Sequence, residues 1–520
     1  MKLKILATSD VHGYLYPTDY FSDDEEMHLG LFKLASLIEQ ERKEENADVL
    51  LIENGDFIQG SPMSQYIKEH DNVPDRLMSA LNELHYDVGV LGNHEFNYGL
   101  DYLKQAIRQV NHPVLSANIL TGEKDYLADA PYQIIEKAGI KIGILGLTTQ
   151  YIPHWEHPEH IGDLAFISAV ETAKKWVPLL KEQADLVVVS YHGGFEADLA
   201  TGAPTEKLTG ENEGYELLHE VEGIDVLITG HQHRQIAGIL KGVPVIQPGF
   251  RGEKIGKIEL TLAKDGNQVQ IVDQRVELLS AGDAVAARDL VNRYTPLEQE
   301  VVEWLDEVIG YTEMDLRMTD PFQARLVKHP YVQLINQVQL DYTDADISCT
   351  ALFSNQVRGY GKTITNRDVL LNYPYPNTLA VIQVSVEELK AALEQTAGYF
   401  SINDQNEITV SYSYLEPKEL HYNYDMYEGI DYVLDISKPE GQRVVQLTFQ
   451  GQPVKPTDTF KLVTNQYRAI GGGNFSMFEN KPFLEEVKKP MNDLLREYIS
   501  EQKIIDFKLN RNFKVVNGNN

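Results

Sequence analysis

Short apolar runs rich in valine, isoleucine and leucine alternate with longer segments of helical periodicity over residues 1–280. This alternation predicts a layered α/β domain. The six clearest runs are each followed by a polar or glycine-rich turn, and they cover residues 3–8, 49–53, 88–91, 141–147, 186–190 and 226–229. Because turns beyond the carboxyl ends of strands line the binding crevice of open α/β sheets, we expect the side chains of these turns to converge.

The pattern changes after residue 280. Apolar residues first recur at roughly helical spacing among charges, which predicts a helical linker over residues 281–320. Residues 321–515 then mix helical and strand-like segments, which predicts an α+β domain. Its clearest helix begins at Ser385, where Glu388 completes a capping box. Its clearest strands cover residues 431–436, 444–449 and 459–464.

The charge balance limits the partners of the chain. Its 520 residues include 46 basic and 78 acidic ones, for a formal net charge of −32. A surface this negative repels a polyphosphate backbone, so long nucleic acid is a poor partner. A small anionic substrate is still allowed, because bound cations dominate the field inside a cleft.

The cysteine content and the hydropathy bear on location. Cys349 is the only cysteine, which excludes an intrachain disulfide framework. No run reaches the roughly 18 apolar residues that span a bilayer, so we expect no membrane partner. We predict a cytoplasmic, monomeric protein, and the alternative is a secreted protein whose leader is missing from this sequence.

Polar residues at the predicted strand ends form a candidate metal site. Five of the six turns contain His, Asp or Asn, and the candidate ligands are Asp10, His12, Asp56, Asn93, His192, His231 and His233. Imidazole, carboxylate and amide groups together suit divalent Mn, Zn, Fe or Co. One such motif alone is more often a capped turn or a surface pair, but five at strand ends indicate a metal site. Two ions about 3.5–4 Å apart would activate water and stabilise the oxygens of an in-line displacement.

The order of these motifs, D-x-H, G-D, G-N-H-E, H and G-H-x-H, resembles the calcineurin-like metallophosphoesterase superfamily. The resemblance implies a four-layer α/β/β/α sandwich for the N-terminal domain. It implies that the first ion is held by Asp10, His12, Asp56 and His233, and the second by Asp56, Asn93, His192 and His231. Asp56 would then bridge the two ions, and His94 would be the catalytic histidine that stabilises or protonates the leaving oxygen.

The residue three positions after His94 departs from the 5′-nucleotidase branch of this superfamily. That branch has an acidic residue there, which orients the histidine, whereas this chain has Asn97. An amide cannot hold an imidazolium as a carboxylate would. We therefore interpret His94 mainly as a hydrogen-bond donor to the phosphoryl group, with Asn97 as an orienting neighbour. Histidines away from strand ends, His160 among them, are interpreted as packing or surface residues.

Two tyrosine-bearing loops of the C-terminal half resemble the 5′-nucleotidase C-terminal domain. The resemblance assigns its base-stacking aromatic residues to Tyr427 and Tyr467, since two ring faces form a slot for a flat base. Without the resemblance, tyrosines near strands are more often core or rim residues. The glycine-rich turn would let backbone approach the ligand, and another segment partly resembles the domain's substrate loop, so the further candidates are Gly472, Gly473, Asn474, Asn355 and Arg358.

The resemblance also bears on the reaction. Residues 93–99, 373–378, and 422–430 followed by 435–439, resemble bacterial 2′,3′-cyclic-nucleotide 2′-phosphodiesterase/3′-nucleotidases more than 5′-nucleotidases. This implies an enzyme that opens 2′,3′-cyclic nucleotides to 3′-nucleotides and then releases nucleosides. The nearest alternative is a 5′-nucleotidase or nucleotide-sugar hydrolase, against which Asn97 speaks. A non-catalytic metal- and nucleotide-binding protein would be expected to have lost a ligand or His94, and none is missing.

Overall fold

The structure is a computed structural model that describes residues 1–22, 27–44, 47–122, 125–266, 268–415 and 419–518. The chain forms two compact units, Met1–Val302 and Glu303–Asn520. Within the described ranges, every helix is too short or too polar to span a bilayer.

Two six-stranded sheets form the first unit in the part of the chain described. One has the order β14-β13-β1-β2-β3-β4 and the other β11-β12-β10-β9-β7-β6, while β5 and β8 pair separately. The strands are β1 (Lys2–Thr8), β2 (Asp48–Glu53), β3 (Val88–Val90), β4 (Val114–Leu115), β5 (Ile119–Leu120), β6 (Tyr132–Lys137), β7 (Ile140–Thr148), β8 (Ala165–Phe166), β9 (Leu186–His192), β10 (Val226–Ile228), β11 (Gln235–Leu240), β12 (Val243–Pro248), β13 (Lys254–Asp265) and β14 (Gln268–Ser280). The six predicted strands are confirmed to within two residues at each end.

The pairing within each sheet determines where the turns lie. Strands β1, β2, β3 and β4 are mutually parallel in one sheet, and β7, β9, β10 and β12 are mutually parallel in the other. Parallel strands end at the same edge of a sheet, so the turns after them are neighbours.

The main core of the first unit lies between the two sheets. Ile5 and Leu50 from one sheet and Ile144 and Val188 from the other are fully buried in the same apolar cluster. Each such side chain contributes about 1.5–3 kcal/mol by leaving water. Their alternation with residues of the opposite face follows from the period of two in a strand.

Helices cover the outer faces of the sheets. Val177 and Leu180 pack against Leu145 and Val187 on the outer face of the second sheet. The helices are α1 (Leu31–Lys43), α2 (Pro62–His70), α3 (Asp75–Asn82), α4 (Leu100–Gln109), α5 (Pro158–Ile161), α6 (Ala169–Lys181), α7 (Gly214–Glu220) and α8 (Arg288–Asp306), with 3₁₀ turns at His94–Phe96, Ile152–His154 and Ala281–Asp283. The predicted four-layer α/β/β/α arrangement is confirmed.

The second unit is α+β, as predicted, and has a five-stranded sheet of order β23-β17-β27-β20-β28 and a four-stranded sheet of order β26-β25-β24-β30. Its strands are β15 (Val308–Thr312), β16 (Leu316–Arg317), β17 (Ile347–Ala351), β18 (Gly359–Tyr360), β19 (Thr363–Thr365), β20 (Leu379–Ser385), β21 (Phe400–Ile402), β22 (Ile408–Val410), β23 (Asp425–Glu428), β24 (Ile430–Asp435), β25 (Val444–Phe449), β26 (Gln452–Pro453), β27 (Thr459–Asn465), β28 (Phe483–Val487), β29 (Ile504–Ile505) and β30 (Phe513–Val516).

The helices of the second unit include the one predicted from its cap. Ser385 and Glu388 form both hydrogen bonds of the capping box at the start of α12. The helices are α9 (Pro321–Leu326), α10 (Pro330–Asp341), α11 (Asn366–Asn372), α12 (Val386–Ala397), α13 (Gln466–Ala469) and α14 (Met491–Gln502), with 3₁₀ turns at Tyr412–Tyr414, His421–Asn423, Gly472–Asn474 and Ser476–Phe478. The three predicted strands are β24, β25 and β27.

The predicted helical linker is helical over a shorter stretch than 281–320. Helix α8 ends at Asp306, and β15 and β16 follow it within the second unit. The reason is tertiary, because β15 pairs with β19 on one side and β29 on the other. These partners come from distant parts of the chain, so the local periodicity could not show them.

Candidate functional site

The seven predicted metal ligands converge at one edge of the two sheets of the first unit. Four lie in turns after the parallel strands β1, β2 and β3, and three lie at or after the ends of β9 and β10. The ligand atoms of six of them form two groups, each within 4.8 Å: Asp10, His12 and His233 in one, and Asp56, His192 and His231 in the other.

Asp56 joins the two groups, and Asn93 lies between the two histidines of the second group. Oδ2 of Asp56 lies 3.1 Å from Nε2 of His192 and 4.0 Å from Nε2 of His12. Oδ1 of Asn93 lies 2.8 Å from Nδ1 of His231 and 3.2 Å from Nε2 of His192. Asp56 is therefore placed to contact ions in both groups.

Hydrogen bonds on the far side of three histidines fix which ring nitrogen carries the proton. Nδ1 of His12 lies 2.9 Å from the carbonyl oxygen of Gln59, and Nδ1 of His192 lies 2.5 Å from that of Asn54. Since a carbonyl only accepts, these nitrogens carry hydrogen when the rings are neutral. Their Nε2 atoms then present lone pairs to the ligand cluster.

His231 is held in the same way by a carboxylate. Its Nε2 lies 2.9 Å from Oε1 of Glu211, so the lone pair of the neutral ring is on Nδ1, which faces Asn93. The rings of Trp155 and Phe250 lie nearly parallel to His231 and His233, at 5.7 and 4.8 Å between centroids. Sequence reasoning missed Glu211, Trp155 and Phe250, which no motif marks.

The backbone at the ligands is unusual. Asp10, His12, Asp56, His231 and His233 all have positive φ, between 53° and 68°. This left-handed region is uncommon for residues with a side chain and costs on the order of 1–3 kcal/mol at each position. Such strain persists only where the surrounding structure enforces it, and its concentration here marks a site built for ligand contact.

Glu95 is a further residue that sequence reasoning left without a role. It is buried, and its carboxylate accepts hydrogen bonds from the backbone N–H groups of Asp56, Phe57 and Gly92, at 2.7–2.8 Å. It therefore ties the turn that carries Asp56 to the turn that carries Asn93. Its place in the G-N-H-E motif was the available indication.

The electrostatics of the cluster differ between its histidines. Burial lowers the pKa of His12 to about 4. For His192, burial alone would lower the pKa, but the negative charges of Asp56 and Asp10 outweigh burial. The pKa of His192 is therefore raised to about 10. The centre of the cluster therefore attracts positive charge, either a proton or a cation.

The donor set fits divalent cations. With the tautomers above, Nε2 of His192 presents a lone pair to two acceptor oxygens, Oδ2 of Asp56 at 3.1 Å and Oδ1 of Asn93 at 3.2 Å. Oδ2 of Asp56 is buried and accepts no hydrogen bond from the described part of the chain. Facing lone pairs repel one another, and coordinated cations remove that repulsion. The mixed nitrogen and oxygen ligands suit borderline metals such as Zn or Mn.

His94 lies beside the ligand cluster. Its ring is 5.1 Å from that of His12, and its backbone N–H donates to Oδ1 of Asp56 at 2.7 Å. Its Nδ1 lies 2.6 Å from Oδ1 of Asn97, as an orienting neighbour requires. Nε2 of His94 forms no hydrogen bond to any residue in the described ranges, so it is free to meet a substrate.

The structure contradicts the choice of Tyr427 as a stacking residue. Tyr427 lies in β23, is fully buried in the core of the second unit, and meets the ring of Tyr432 edge-on at 6.0 Å. All four residues of β23 are buried, so neither face of the strand is open. A ring without an exposed face cannot stack on a base.

Tyr467 does offer a ring face. It is 38% exposed and lies in α13, directly after β27. A Cβ added to Gly472 would come within 2.7 Å of both Cε atoms of Tyr467, so the glycine backbone lies against the ring. Gly473 has φ +71°, and a Cβ there would meet the side chains of Asn423 and Arg468.

Buried Arg468 joins the two tyrosine loops. Its guanidinium donates to Oδ2 of Asp425 at 2.8 Å and to the carbonyl oxygens of Tyr422, at 2.9 Å, and Gly472. Tyr422 is half-buried, whereas Asn474 is exposed and has positive φ. Sequence reasoning quoted the loop but missed the role of Arg468, whose partners are about 45 residues away along the chain.

The two remaining candidates differ in availability. Asn355 accepts from buried Arg325 at 2.8 Å, and its Nδ2 lies 2.9 Å from Nε2 of His421, so both ends of its amide are used within the unit. Arg358 is exposed, and its guanidinium has no hydrogen bond or ion pair among the described residues. Arg358 is thus the better placed of the two for an anionic ligand.

Family comparisons agree with this site. Residues 3–235 match the calcineurin-like phosphoesterase family, and residues 308–480 match the 5′-nucleotidase C-terminal domain. The chain is 32% identical to the 2′,3′-cyclic-nucleotide 2′-phosphodiesterase/3′-nucleotidase of Salmonella typhimurium, over 90% of this chain and 81% of that protein.

Two further relatives extend the comparison. The chain is 30% identical to the trifunctional nucleotide phosphoesterase protein YfkN of Bacillus subtilis. The match covers 100% of this chain but only 39% of that protein. Its fold is similar to the crystal structure of a Staphylococcus aureus protein assigned to the 5′-nucleotidases, with a TM-score of 0.90 and 40% identity over 99% of this chain and 100% of that one. The chain therefore belongs to the calcineurin-like phosphoesterase family, in the branch that carries a 5′-nucleotidase C-terminal domain.

Proposed function

We propose that this chain uses two divalent cations to hydrolyse nucleotide phosphoesters, opening 2′,3′-cyclic nucleotides to 3′-nucleotides and then releasing nucleosides. The observation that carries the proposal is the pair of ligand groups joined by Asp56, with acceptor atoms that face one another. The names of the Salmonella and Bacillus relatives support the substrate class.

The ligands divide the work between them. Asp10, His12 and His233 would hold one ion, and Asn93, His192 and His231 the other, with Asp56 shared. When bound, two such ions activate the attacking water and neutralise charge on the phosphoryl oxygens. The positive-φ turns and the carboxylate of Glu95 keep these ligands in place.

His94 supplies the proton chemistry on the chain's side. In the first step, the oxygen of water bonds to phosphorus, the bond from phosphorus to O2′ breaks, and O2′ receives a proton. In the second step, water again bonds to phosphorus, the bond from phosphorus to O3′ breaks, O3′ receives a proton, and inorganic phosphate is released with the nucleoside. Nδ1 of His94 donates to Asn97, so Nε2 is the atom that faces the phosphoryl group or the leaving oxygen, and it donates a proton there when the ring is an imidazolium with hydrogen on both nitrogens.

Nucleoside recognition falls to the second unit. We assign one stacking face to Tyr467, whose ring is exposed and backed by Gly472, and the other to Tyr422 in place of buried Tyr427. The support for Tyr422 is that Arg468 binds its carbonyl together with that of Gly472, which holds the two loops together. Arg358, exposed in the segment that partly resembles the substrate loop, is the cation we assign to an anionic part of the ligand.

A substrate panel tests the proposal. The protein, treated with chelator and then given Mn²⁺ or Zn²⁺, is assayed on 2′,3′-cyclic AMP, 3′-AMP and 5′-AMP. We expect hydrolysis of the first two at higher kcat/KM than the third. Absence of hydrolysis of every phosphoester with either metal would overturn the proposal.

The same panel decides the nearest alternative. The Staphylococcus relative assigned to the 5′-nucleotidases, 40% identical over all of its length, favours a 5′-nucleotidase. A strong preference for 5′-AMP would establish that function and leave the metal ligands unchanged. The cytoplasmic location and monomeric state stay predictions.

A further inference from the structure

Asn97 is hydrogen-bonded on both sides of its amide. Its Oδ1 lies 2.6 Å from Nδ1 of His94, and its Nδ2 donates to Oε2 of Glu156 at 2.6 Å. The other oxygen of Glu156 accepts from the backbone N–H of His157 at 2.8 Å and lies 2.7 Å from Nδ1 of His160. A continuous chain of hydrogen bonds thus runs from His94 to a carboxylate that is not its sequence neighbour.

The carboxylate determines which way the amide points. A carboxylate only accepts, so the end of Asn97 that faces Glu156 must be the NH₂ group. The oxygen of Asn97 then faces His94, and Nδ1 of His94 must donate to it. This leaves Nε2 of His94 on the open side of the ring, where a substrate can meet it.

Glu156 is held rigidly in this position. Its side chain is 7% exposed, and its backbone N–H donates to the carbonyl of Ile152 at 2.9 Å. Ile152 and Ile161 lie in the same buried cluster as Phe96, which belongs to the turn that carries His94. The segment of Glu156 and the turn of His94 are therefore packed on one core.

The residue before Glu156 links the same segment to the ligand cluster. Trp155 lies nearly parallel to His231, with an interplanar angle of 17°. Two consecutive residues thus contact a metal-ligand side chain and the support of His94, respectively. A stretch that lacks any strand-end motif in the sequence borders both parts of the site.

We propose that Glu156 is a positioning residue for the reaction and that it supplies, through the amide of Asn97, the carboxylate that orients His94. In a direct His–Asp pair the carboxylate accepts from the histidine itself. Here Glu156 has the same orienting role, but it acts through the intervening amide of Asn97. This inference rests on the proposed function, in which His94 donates to the substrate.

The competing explanation is that Glu156 only stabilises the short helix α5, through its bonds to His157 and His160. That explanation predicts effects on stability alone, independent of residue 97. The proposal predicts coupling, because the charge on residue 156 sets the hydrogen bonds that residue 97 can make.

A double-mutant cycle separates the two explanations. Glu156→Gln keeps the shape and removes the charge, and we expect kcat to fall about 10–100-fold, as for other outer-shell partners. Asn97→Asp places two carboxylates in contact, and we expect a similar or larger loss. In the double variant N97D/E156Q, the amide introduced at position 156 can donate to the carboxylate introduced at position 97, which in turn accepts from His94. The kcat of the double variant should therefore rise at least about tenfold above that of N97D.

Further measurements on these variants test whether the loss of kcat in E156Q arises through His94. If Glu156 acts through His94, the ratio of its kcat losses on 3′-AMP and on p-nitrophenyl phosphate should match the ratio for His94→Ala. Metal content and Tm should stay near wild type in E156Q. Glu159→Gln, an exposed carboxylate in the same helix, is the matched control and should change nothing.

The outcomes are distinguishable. Losses that simply add in N97D/E156Q, or wild-type kcat in E156Q, would overturn the inference while leaving the proposed function in place. A loss in E156Q that is explained by a fallen Tm or lost metal would also overturn it. Absence of phosphoesterase activity in the wild type would instead overturn the proposed function.

Discussion

The ligand cluster of the first unit and the tyrosine loops of the second unit differ in how the fold positions their functional residues. Each predicted metal ligand lies at or just after the end of a strand, where the parallel pairing of β1, β2 and β3 in one sheet and of β9 and β10 in the other brings the turns together. Tyr427 lies within a strand, where the covering of both faces decides whether its ring is exposed. Position along the chain was sufficient to locate the residues of the ligand cluster, but it was insufficient to show whether the ring of Tyr427 is exposed.

A sequence motif locates residues in turns after strands more reliably than residues inside strands. A turn after a strand has one place in a parallel sheet, so its side chains are fixed once the strand is recognised. A residue inside a strand can face core or solvent, and elements distant in sequence settle the choice. For Tyr427 these include Cys349, its partner in the neighbouring strand β17.

The largest effect is expected at the ligand shared by both groups. Asp56→Ala should lower kcat/KM by more than about 100-fold, since loss of an outer-shell partner alone costs 10–100-fold. Bound metal, measured by elemental analysis, should fall with it. Asp101→Ala, at an exposed position in α4, should keep both. Full activity and metal content in the Asp56 variant would remove Asp56 from the site.

Next, replacement of Tyr467 should weaken nucleotide binding, whereas replacement of Tyr427 should lower stability. Tyr467→Ala should raise KM for nucleotides about 5–150-fold, the effect of about 1–3 kcal/mol of stacking, with little change for p-nitrophenyl phosphate. Tyr427→Ala should destabilise the second unit by about 3–5 kcal/mol, as large-to-small core changes do. Thermal unfolding and nucleotide kinetics on both variants check this, and a stable Tyr427→Ala protein with raised KM would restore Tyr427 as a stacking residue.

A smaller effect concerns the glycine-rich turn. Gly473 and Gly441 both have positive φ, but only at Gly473 would a Cβ meet other side chains, 2.0 Å from Oδ1 of Asn423 and 2.3 Å from Nη1 of Arg468. Gly441→Ala should cost about 1–2 kcal/mol of backbone strain alone. Gly473→Ala should cost more and raise KM as well. Equal losses of Tm, without a change of KM, would show that the contact with Arg468 does not matter.

The smallest effect is a pH dependence in the first unit. Burial beside Tyr86 lowers the pKa of His112 to about 4, so the folded state keeps this ring neutral while the unfolded chain protonates it below about pH 6.5. The unfolded state binds more protons between these values, so stability is lost as pH falls from about 6.5 towards 4, by about 2 kcal/mol at pH 5. His112→Gln should flatten this part of the Tm-versus-pH curve, whereas the exposed His219→Gln should not. An unchanged slope would contradict the assignment.

Much of the fold followed from the sequence because its signals are local. The six strand predictions, the Ser385 cap and the convergence of the seven ligands rest on short runs and on the edge shared by parallel strands. The extent of the linker did not follow, since β15 exists through pairing with β19 and β29. Glu156 did not follow either, because it meets Asn97 across 59 residues of chain and no periodicity marks it.

We propose that the strand-end cluster of the first unit binds two divalent cations for phosphoester hydrolysis. The most direct test is titration of the chelator-treated protein with Mn²⁺ or Zn²⁺, in which bound metal and hydrolysis of 2′,3′-cyclic AMP are measured together. We predict two equivalents per chain at saturation, with activity absent before metal and complete once both are bound. Hydrolysis at full rate without metal, or a chain that binds no divalent ion, would contradict the account.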